Sequence, residues 1–302
     1  MTLRDVYRYV DEHLEQAVLL LERLVRQPSV SAENLGIREM AELCVEVLNE
    51  EEGITARLLE LGAGPPLVWA EAGGESQRRL MLYDHYDVQP VDPIELWESD
   101  PFEPVRRDGK LYGRGASDNT GDFAARVFAL RALRAVTGSL PARVVFMLEG
   151  EEESGSPHLP TLMKRYGPCF AADAGLLEAS GATRDGRPAL VLGVKGLLYV
   201  ELLCRTANTD SHSSSAAVIP SPAWRLNWAL STLKAPDETV LIPGFYDAVR
   251  DWRDDEIEAL RAMPDTDEQE RIDKGVKAYL GNVSGLDYRK RLYGRPTCNI
   301  CG

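Results

Sequence analysis

Apolar residues recur at helical spacing through the first fifty residues of the chain. Over residues 2–26 they fall three or four positions apart, and the pattern stops near Pro28: Leu3, Val6, Val10, Leu14, Val18, Leu21 and Val25. A second stretch, from about residue 33 to residue 50, has the same spacing and is followed by Gly53. Both patterns predict amphipathic helices, each with one face against a core.

Continuous apolar runs then alternate with further helical patterns. The predicted strands begin at Pro65, Arg78, Ala142, Ala174 and Pro188, and the predicted helices cover residues 118–136 and 158–165. Strands that are apolar along their whole length are buried on both faces. The alternation therefore predicts an α/β fold in which helices sandwich a mostly parallel sheet.

The pattern changes near Gly196. Residues 196–206 alternate apolar and polar side chains like a half-exposed strand, and residues 222–233 have helical spacing. Residues 251–274 form an acidic helical stretch that Pro264 interrupts. We therefore predict two domains, 1–195 and 196–302, of which the second is a separate α+β unit.

Composition mainly excludes function classes. The 302 residues contain 34 Lys and Arg against 48 Asp and Glu, a net charge of −14, which argues against binding to nucleic acid or to an anionic membrane. No apolar run approaches the roughly 20 residues of a membrane span, and the charged N-terminus does not resemble a signal peptide.

Five scattered cysteines indicate a reducing, cytoplasmic setting. We assign no zinc or redox role to the single C-x-x-C formed by Cys298 and Cys301.

Polar residues concentrate where the predicted strands end. His85 and Asp87 are two positions apart and so point to one side, Glu151–Glu153 follow the strand from Ala142, and Glu178 ends another strand. In parallel sheets these ends lie along one edge, so one histidine and several carboxylates predict a cation site. An N/O ligand set suits Zn(II), Mn(II) or Co(II). The alternatives are a loop histidine beside a solvated aspartate, and a surface charge run.

Two further candidates stay open on spacing alone. Asp118 lies in a glycine-containing loop before a helix, where an aspartate can simply cap the helix. The loop lacks the Lys-Ser/Thr pair of a phosphate-binding P-loop. His212 follows the first predicted strand of the second domain and is undecided, whereas we interpret His13 and His158 as structural.

Four segments, in this order, resemble a known family. They are DHYDVQP from Asp84, LWESDPFEPVRRDGKLYGRGASDNTG from Leu96, LEGEEESGS from Leu148 and DSHS from Asp210. Together they resemble the dinuclear zinc exopeptidases and deacylases related to aminoacylase and carboxypeptidase G, and most of all the branch of cytosolic non-specific dipeptidases and carnosinases. The resemblance covers most of the chain. It implies a phosphorylase/hydrolase-like catalytic domain with an inserted α+β lid domain that forms a homodimer.

The resemblance also implies a metal centre with two divalent ions, Zn(II) first, with Mn(II) or Co(II) as alternatives. One ion would be held by His85, Asp118 and Glu178. The other would share Asp118 as a bridge and add Glu153. A cis peptide would follow Asp118.

Three more residues have roles by the same resemblance. Asp87 would orient the histidine ligand, and Glu152 would be the general base on a metal-bridging water. His212 would reach a neighbouring subunit's active site from the lid and stabilise the oxyanion.

The chain departs from the family pattern in one major respect. The family's last metal ligand is a histidine near the C-terminus, and here no histidine follows His212. Thr120 and Ser214 also replace the Lys and Gly that are common in the family. We therefore expect the C-terminal part of the fold to be missing. The leading hypothesis is metal-dependent hydrolysis of dipeptides or short peptides, and the alternatives are an N-acyl amino acid deacylase, acetylornithine deacetylase-like, or a catalytically impaired remnant.

Overall fold

The chain forms two compact units in a computed structural model that describes residues 2–178, 181–182 and 186–301. The units are Met1–Ser180 and Gly181–Gly302. Their boundary falls earlier along the chain than the predicted boundary at 195/196.

The first unit alternates helices and strands. Its helices are α1 (Leu3–Val25), α2 (Ile37–Glu50), α3 (Thr120–Thr137) and α4 (Leu159–Tyr166). Its strands are β1 (Ile54–Leu59), β2 (Leu67–Ala72), β3 (Ser76–His85), β4 (Val105–Arg107), β5 (Lys110–Tyr112), β6 (Ala142–Glu149) and β7 (Ala174–Leu176). Short 3₁₀ turns cover Ser31–Glu33, Ile94–Leu96, Glu152–Ser154 and Gly167–Phe170. The strand predicted from Ala174 is shorter than expected, and its last predicted residue, Ala179, lies outside the described residues.

The central sheet is mostly parallel, as predicted. Its order is β1-β2-β6-β3-β7, with parallel pairing of β6 with β3 and of β3 with β7. Strand β2 is antiparallel to both β1 and β6, so it alone is reversed and the other four strands share one direction. The register pairs His85 with Glu149, which places the carboxyl ends of β3 and β6 side by side.

Helices cover both faces of this sheet. Alternate side chains of β6 point in opposite directions because successive residues of a strand face opposite sides. Val144, Phe146 and Leu148 join the core under α1, α2 and α3, while Val145 and Met147 join a smaller core with Leu162 of α4. The predicted sandwich and α/β fold class are thereby confirmed.

The second helix begins later than its predicted start near Glu33. A 3₁₀ turn over Ser31–Glu33 precedes it, and Gly36 adopts a positive φ of 67° at its N-cap. A Cβ at Gly36 would lie 2.0 Å from the Pro28 carbonyl oxygen. This close approach of two backbone segments requires glycine and delays the helix to Ile37.

Helices are the main regular elements of the second unit in the residues described. It contains a small hairpin of β8 (Gly181–Ala182) and β9 (Pro188–Ala189), and the helices α5 (Pro222–Leu230), α6 (Asp254–Ala262), α7 (Asp267–Asp273) and α8 (Gly285–Gly294). Two further 3₁₀ turns are Ser213–Ser215 and Leu280–Asn282. Pro264 separates α6 from α7 as predicted, whereas α8 was not predicted.

The strand predicted over residues 196–206 is not formed. Of the strand predicted to begin at Pro188, only Pro188 and Ala189 form a strand. Residues 190–206 have no regular structure, and Leu192, Val194 and Leu197 are more than 90% exposed. The prediction of a half-exposed strand is therefore wrong, because a strand also needs a neighbouring strand for its backbone hydrogen bonds. In the part of the chain that the structure describes, no helix has both the length and the apolar character to cross a bilayer.

Candidate metal centre

His85, the last residue of β3, lies at the centre of a carboxylate cluster. Its side chain is buried, with Nδ1 3.0 Å from the Asp87 carbonyl oxygen, and Nε2 2.9 Å from Asp118 Oδ1 and 3.2 Å from Glu178 Oε2. When Nδ1 donates its proton to Asp87, Nε2 presents a lone pair toward two carboxylate oxygens. Three acceptors then face one another, an arrangement that a shared cation stabilises.

Asp87 connects this histidine to the turn after β6. Its carboxylate is fully buried, and Oδ1 lies 3.3 Å from His85 Nδ1. The same carboxylate accepts hydrogen bonds from the backbone amides of Glu152 and Glu153, each at 3.1 Å. One side chain thus fixes both the ring of His85 and the backbone of the 3₁₀ turn over Glu152–Ser154.

The structure brings together five of the predicted site residues besides Asp87. Ligand atoms of His85, Asp118 and Glu153 lie within 4.8 Å of one another, and so do those of His85, Glu152 and Glu178. The two groups share His85. They differ from the ligand sets that the family resemblance implies, because Glu152 lies in the same group as Glu178.

Asp118 reaches the cluster from the loop before α3. Its peptide bond to Asn119 is cis, the feature that the family resemblance implied. The alternative that Asp118 caps the helix is wrong, because the N-cap residue of α3 is Asn119. The Thr120 hydroxyl donates to the Gly115 carbonyl oxygen at 2.6 Å, which ties the start of α3 to the preceding loop.

The cluster carries an excess of negative charge. Burial raises the pKa of Glu178 to about 7, with His85 opposing the shift and Glu152 and Asp118 adding to it. Partial burial also raises the pKa of Glu152 above its usual range. Burial alone would lower the pKa of His85, but the hydrogen bond to Asp87 and the charge of Glu178 outweigh it and raise that pKa to about 10. The negative charge that favours a proton on His85 would equally favour a metal ion in its place.

The fit to a metal also rests on an orphaned atom. Glu178 Oε2 is buried and makes no hydrogen bond within the described part of the chain, although it lies 3.2 Å from His85 Nε2. A buried carboxylate oxygen without a partner is costly unless a cation binds it. The imidazole and carboxylate donors match Zn(II), Mn(II) or Co(II).

Glu151, the first of the three consecutive glutamates, has a structural partner. Glu151 accepts from His158, with Oε1 2.8 Å from Nδ1, and from the His158 backbone amide at 3.2 Å. His13 stacks on Tyr9 with ring centroids 4.0 Å apart. Both histidines thus contact ordinary structural neighbours.

His212 belongs to the second unit and is exposed there. It precedes the 3₁₀ turn Ser213–Ser215, and its Nδ1 accepts a hydrogen bond from the Ser214 amide at 3.2 Å. This contact is local to its own turn.

Sequence reasoning missed two polar contacts at the cluster. Gln89 donates to Glu153 Oε2 at 2.7 Å, and Tyr83 donates to Glu149 Oε1 at 2.7 Å. Gln89 lies in the same DHYDVQP segment as His85, so its position was an available signal. Glu149 is the last residue of β6, and the register of β3 against β6, which pairs it with His85, places it beside the cluster.

Comparison with known proteins identifies related sequences and folds. Beta-Ala-His dipeptidase of Homo sapiens is 30% identical over 320 residues, covering 99% of this chain and 62% of the relative. The Cys-Gly metallodipeptidase dug1 of Schizosaccharomyces pombe is 27% identical, covering all of this chain and 67% of the relative. The chain thus spans about two thirds or less of the length of these relatives.

A solved structure and a family model agree with these relatives. The M20 family metallo-carboxypeptidase Sso-CP2 from Sulfolobus solfataricus superposes with a TM-score of 0.86 and 36% identity, covering 95% of this chain and 65% of that chain. The family model described as Peptidase family M20/M25/M40 matches residues 81–267. The resemblance drawn from the four sequence segments is confirmed, and the chain belongs to peptidase family M20/M25/M40.

Proposed function

We propose that this chain carries the metal centre of an enzyme that hydrolyses the amide bond of dipeptides or short peptides. The observation that carries the proposal is the convergence of Asp118, Glu152, Glu153 and Glu178 on one buried histidine. The similar proteins named as dipeptidases and as a metallo-carboxypeptidase support this substrate class.

The ligand assignment is part of the proposal. His85, Asp118 and Glu178 would hold one divalent ion, and Asp118 and Glu153 would hold a second, with Zn(II) first and Mn(II) or Co(II) as alternatives. When bound, such ions polarise a scissile carbonyl and lower the pKa of bound water. Asp87 orients His85 and increases the basicity of its ring through the buried contact at Nδ1.

Glu152 serves as the proton shuttle. It accepts a proton from the attacking water and delivers it to the leaving amine. Its backbone is fixed by Asp87, and burial raises its pKa toward neutrality, which suits a group that must both take and give a proton.

The second unit supplies the lid in this proposal. His212 stabilises the tetrahedral oxyanion in the active site of a partner chain, so the functional assembly is a homodimer. The exposed position of His212 supports a role toward a partner molecule. We also place the protein in a reducing, cytoplasmic compartment, which its five unpaired cysteines favour.

Replacement of Glu152 tests the function directly. Glu152→Gln should lower kcat for dipeptide hydrolysis by about 10²–10⁴-fold, the range for general acid–base catalysis, while metal content stays unchanged. Glu151→Gln is the matched control, since Glu151 pairs with His158, and it should retain most of the activity. Unchanged hydrolysis in Glu152→Gln would show that the general base is assigned wrongly.

A substrate comparison separates the enzyme hypotheses. Dipeptides and N-acetyl amino acids are supplied to the metal-loaded 302-residue chain, and release of the free amine is measured. Faster hydrolysis of dipeptides supports the peptidase, and faster hydrolysis of N-acetyl substrates identifies a deacylase. No turnover of either panel would identify the chain by itself as an impaired remnant.

A further inference from the structure

A buried arginine lies directly behind the carboxylate cluster. Arg126 projects from α3 and is only 7% exposed. Its Nη1 donates to the Tyr83 carbonyl oxygen at 2.5 Å, and its Nη2 donates to the Leu177 carbonyl oxygen at 2.6 Å. The guanidinium thus bridges the ends of β3 and β7.

These two carbonyls belong to the segments that carry metal-ligand candidates. Tyr83 stands two residues before His85, and Leu177 immediately precedes Glu178. Arg126 lies on the helix that follows the Asp118 loop, and from there its side chain contacts the segments that carry His85 and Glu178.

The strand ladder does not reach Glu178. The pairing of β3 with β7 ends at Leu82 opposite Leu176, two residues before Glu178. Glu178 Oε2 makes no hydrogen bond among the residues described. Beyond the ladder, the hydrogen bond from Arg126 to the Leu177 carbonyl oxygen fixes the backbone next to this ligand.

A second buried charge orients the guanidinium. Asp84 is completely buried, and its Oδ1 lies 2.7 Å from Arg126 Nη1. Arginine presents its donors in a rigid planar fork, so fixing one edge of the group also fixes the direction of the other N–H groups. Lysine has a flexible point charge and cannot serve the same two carbonyls in this way.

We propose that Arg126 is a positioning residue that holds Glu178 beside His85 for metal binding. The inference rests on the proposed metal centre and deepens it. Arg126 acts through the backbone carbonyl before Glu178, to which its Nη2 donates.

The first test compares two arginines of the same helix. Arg126→Met should weaken Zn(II) binding by roughly 10–100-fold, the range for outer-shell partners of metal ligands, with native circular dichroism. Arg131→Met is the matched control, because Arg131 is a half-buried arginine of the same helix that forms its ion pair with Glu51. It should leave Zn(II) affinity unchanged. Wild-type affinity in Arg126→Met, or equal weakening in both variants, would overturn the inference.

A double-mutant cycle tests whether Arg126 acts through Glu178. In a Glu178→Ala background, Arg126→Met should reduce Zn(II) affinity by less than threefold further, because the ligand it positions is already gone. A full additional loss in the double variant would mean that Arg126 affects the protein in another way.

Arg126→Lys keeps the test decisive if the Met variant does not fold. The lysine retains a positive charge for Asp84 but loses the planar fork, so a folded Lys variant should still bind Zn(II) more weakly than the wild type. Wild-type affinity in a folded Lys variant would contradict the inference. Absence of Zn(II) binding in the wild-type chain would instead refute the proposed metal centre itself, so the two failures are distinguishable.

Discussion

At the scale of single residues, Asp87 organises the site without being exposed at its surface. Its carboxylate receives two backbone amide hydrogen bonds and also faces Nδ1 of His85. A buried carboxylate is tolerated only when several donors satisfy its oxygens. The same contacts that stabilise Asp87 therefore fix the direction of Nε2 and the backbone of Glu152.

The proposed bridging role of Asp118 leads to a prediction about metal content. If the proposed ligand assignment holds, Asp118→Ala should remove both ions, because the bridging carboxylate would serve both, whereas His85→Ala should mainly weaken one. The Asp118 side chain is 74% exposed, so its loss should leave the fold intact. Elemental analysis after equilibration with Zn(II) measures the outcome, with exposed Glu95→Ala as the control. Equal and negligible effects of the Asp118 and His85 substitutions would refute the ligand assignment.

Cys44 of α2 predicts a loss of stability at alkaline pH. It is completely buried, and burial raises the pKa of its thiol far above the ordinary value, with the Asp84 charge adding to the shift. Above about pH 8.5 the unfolded chain loses this proton and the folded chain keeps it, so deprotonation favours unfolding. Between pH 8 and pH 10 this single group should lower the free energy of unfolding by about 2 kcal/mol.

The measurement is urea unfolding of the wild type and Cys44→Ala at both pH values. Other titrating groups contribute equally to the two proteins, so the wild type should lose about 2 kcal/mol more than the variant over this interval. Identical losses would mean that the Cys44 thiol does not keep its proton in the folded state.

At the scale of elements, helical spacing identified which face of each helix points to the core. It did not show how much of that face is buried. On α2, six apolar residues at helical spacing are all buried: Ile37, Met40, Ala41, Cys44, Val47 and Leu48. On α1, by contrast, Leu3 and Leu14 are exposed, while Leu20 and Leu24 enter the core. Helical periodicity determines the direction in which a side chain points. Which turns of the helix are buried depends on where the neighbouring elements pack against it.

Two leucines of α1 make this difference measurable. Leu24→Ala should lower the free energy of unfolding by about 2–5 kcal/mol, because it opens a cavity in a closed core. Leu19→Ala removes the same atoms from a side chain that is 52% exposed, and it should change stability by no more than about 0.5 kcal/mol. Denaturant unfolding of both variants tests the prediction, and similar losses would contradict the placement of α1.

At the scale of the whole molecule, the exposed apolar segment 190–203 in the second unit predicts self-association. Apolar surface of this extent usually marks an interface, and the proposed homodimer supplies a second copy of the chain as the partner. Replacing Leu192 and Leu197 with lysine should shift the mass measured by light scattering toward that of one chain. The control is Leu96→Lys, at a 76% exposed leucine of the first unit. An unchanged mass in the double variant would argue against association through this segment.

The sequence by itself determined the main helices and central strands of the first unit and the family to which the chain belongs. Apolar periodicity was sufficient for α1, α2 and α3 and for the buried strands β2, β3 and β6, since a residue's burial direction follows from local geometry. The four ordered segments were sufficient for the family. The polar residues at the strand ends were also visible, because parallel strands must bring their carboxyl ends to one edge.

Only the tertiary structure decided which of these groups meet. Asp118 could have been a helix cap, and three consecutive glutamates could have shared one role; instead Glu151 pairs with His158 while Glu152 and Glu153 turn toward His85. The contacts of Arg126 and the lack of regular structure over residues 196–206 were equally invisible in the sequence. The physical reason is the same in each case: hydrogen bonds and ion pairs between distant segments depend on register and packing, which local patterns do not encode.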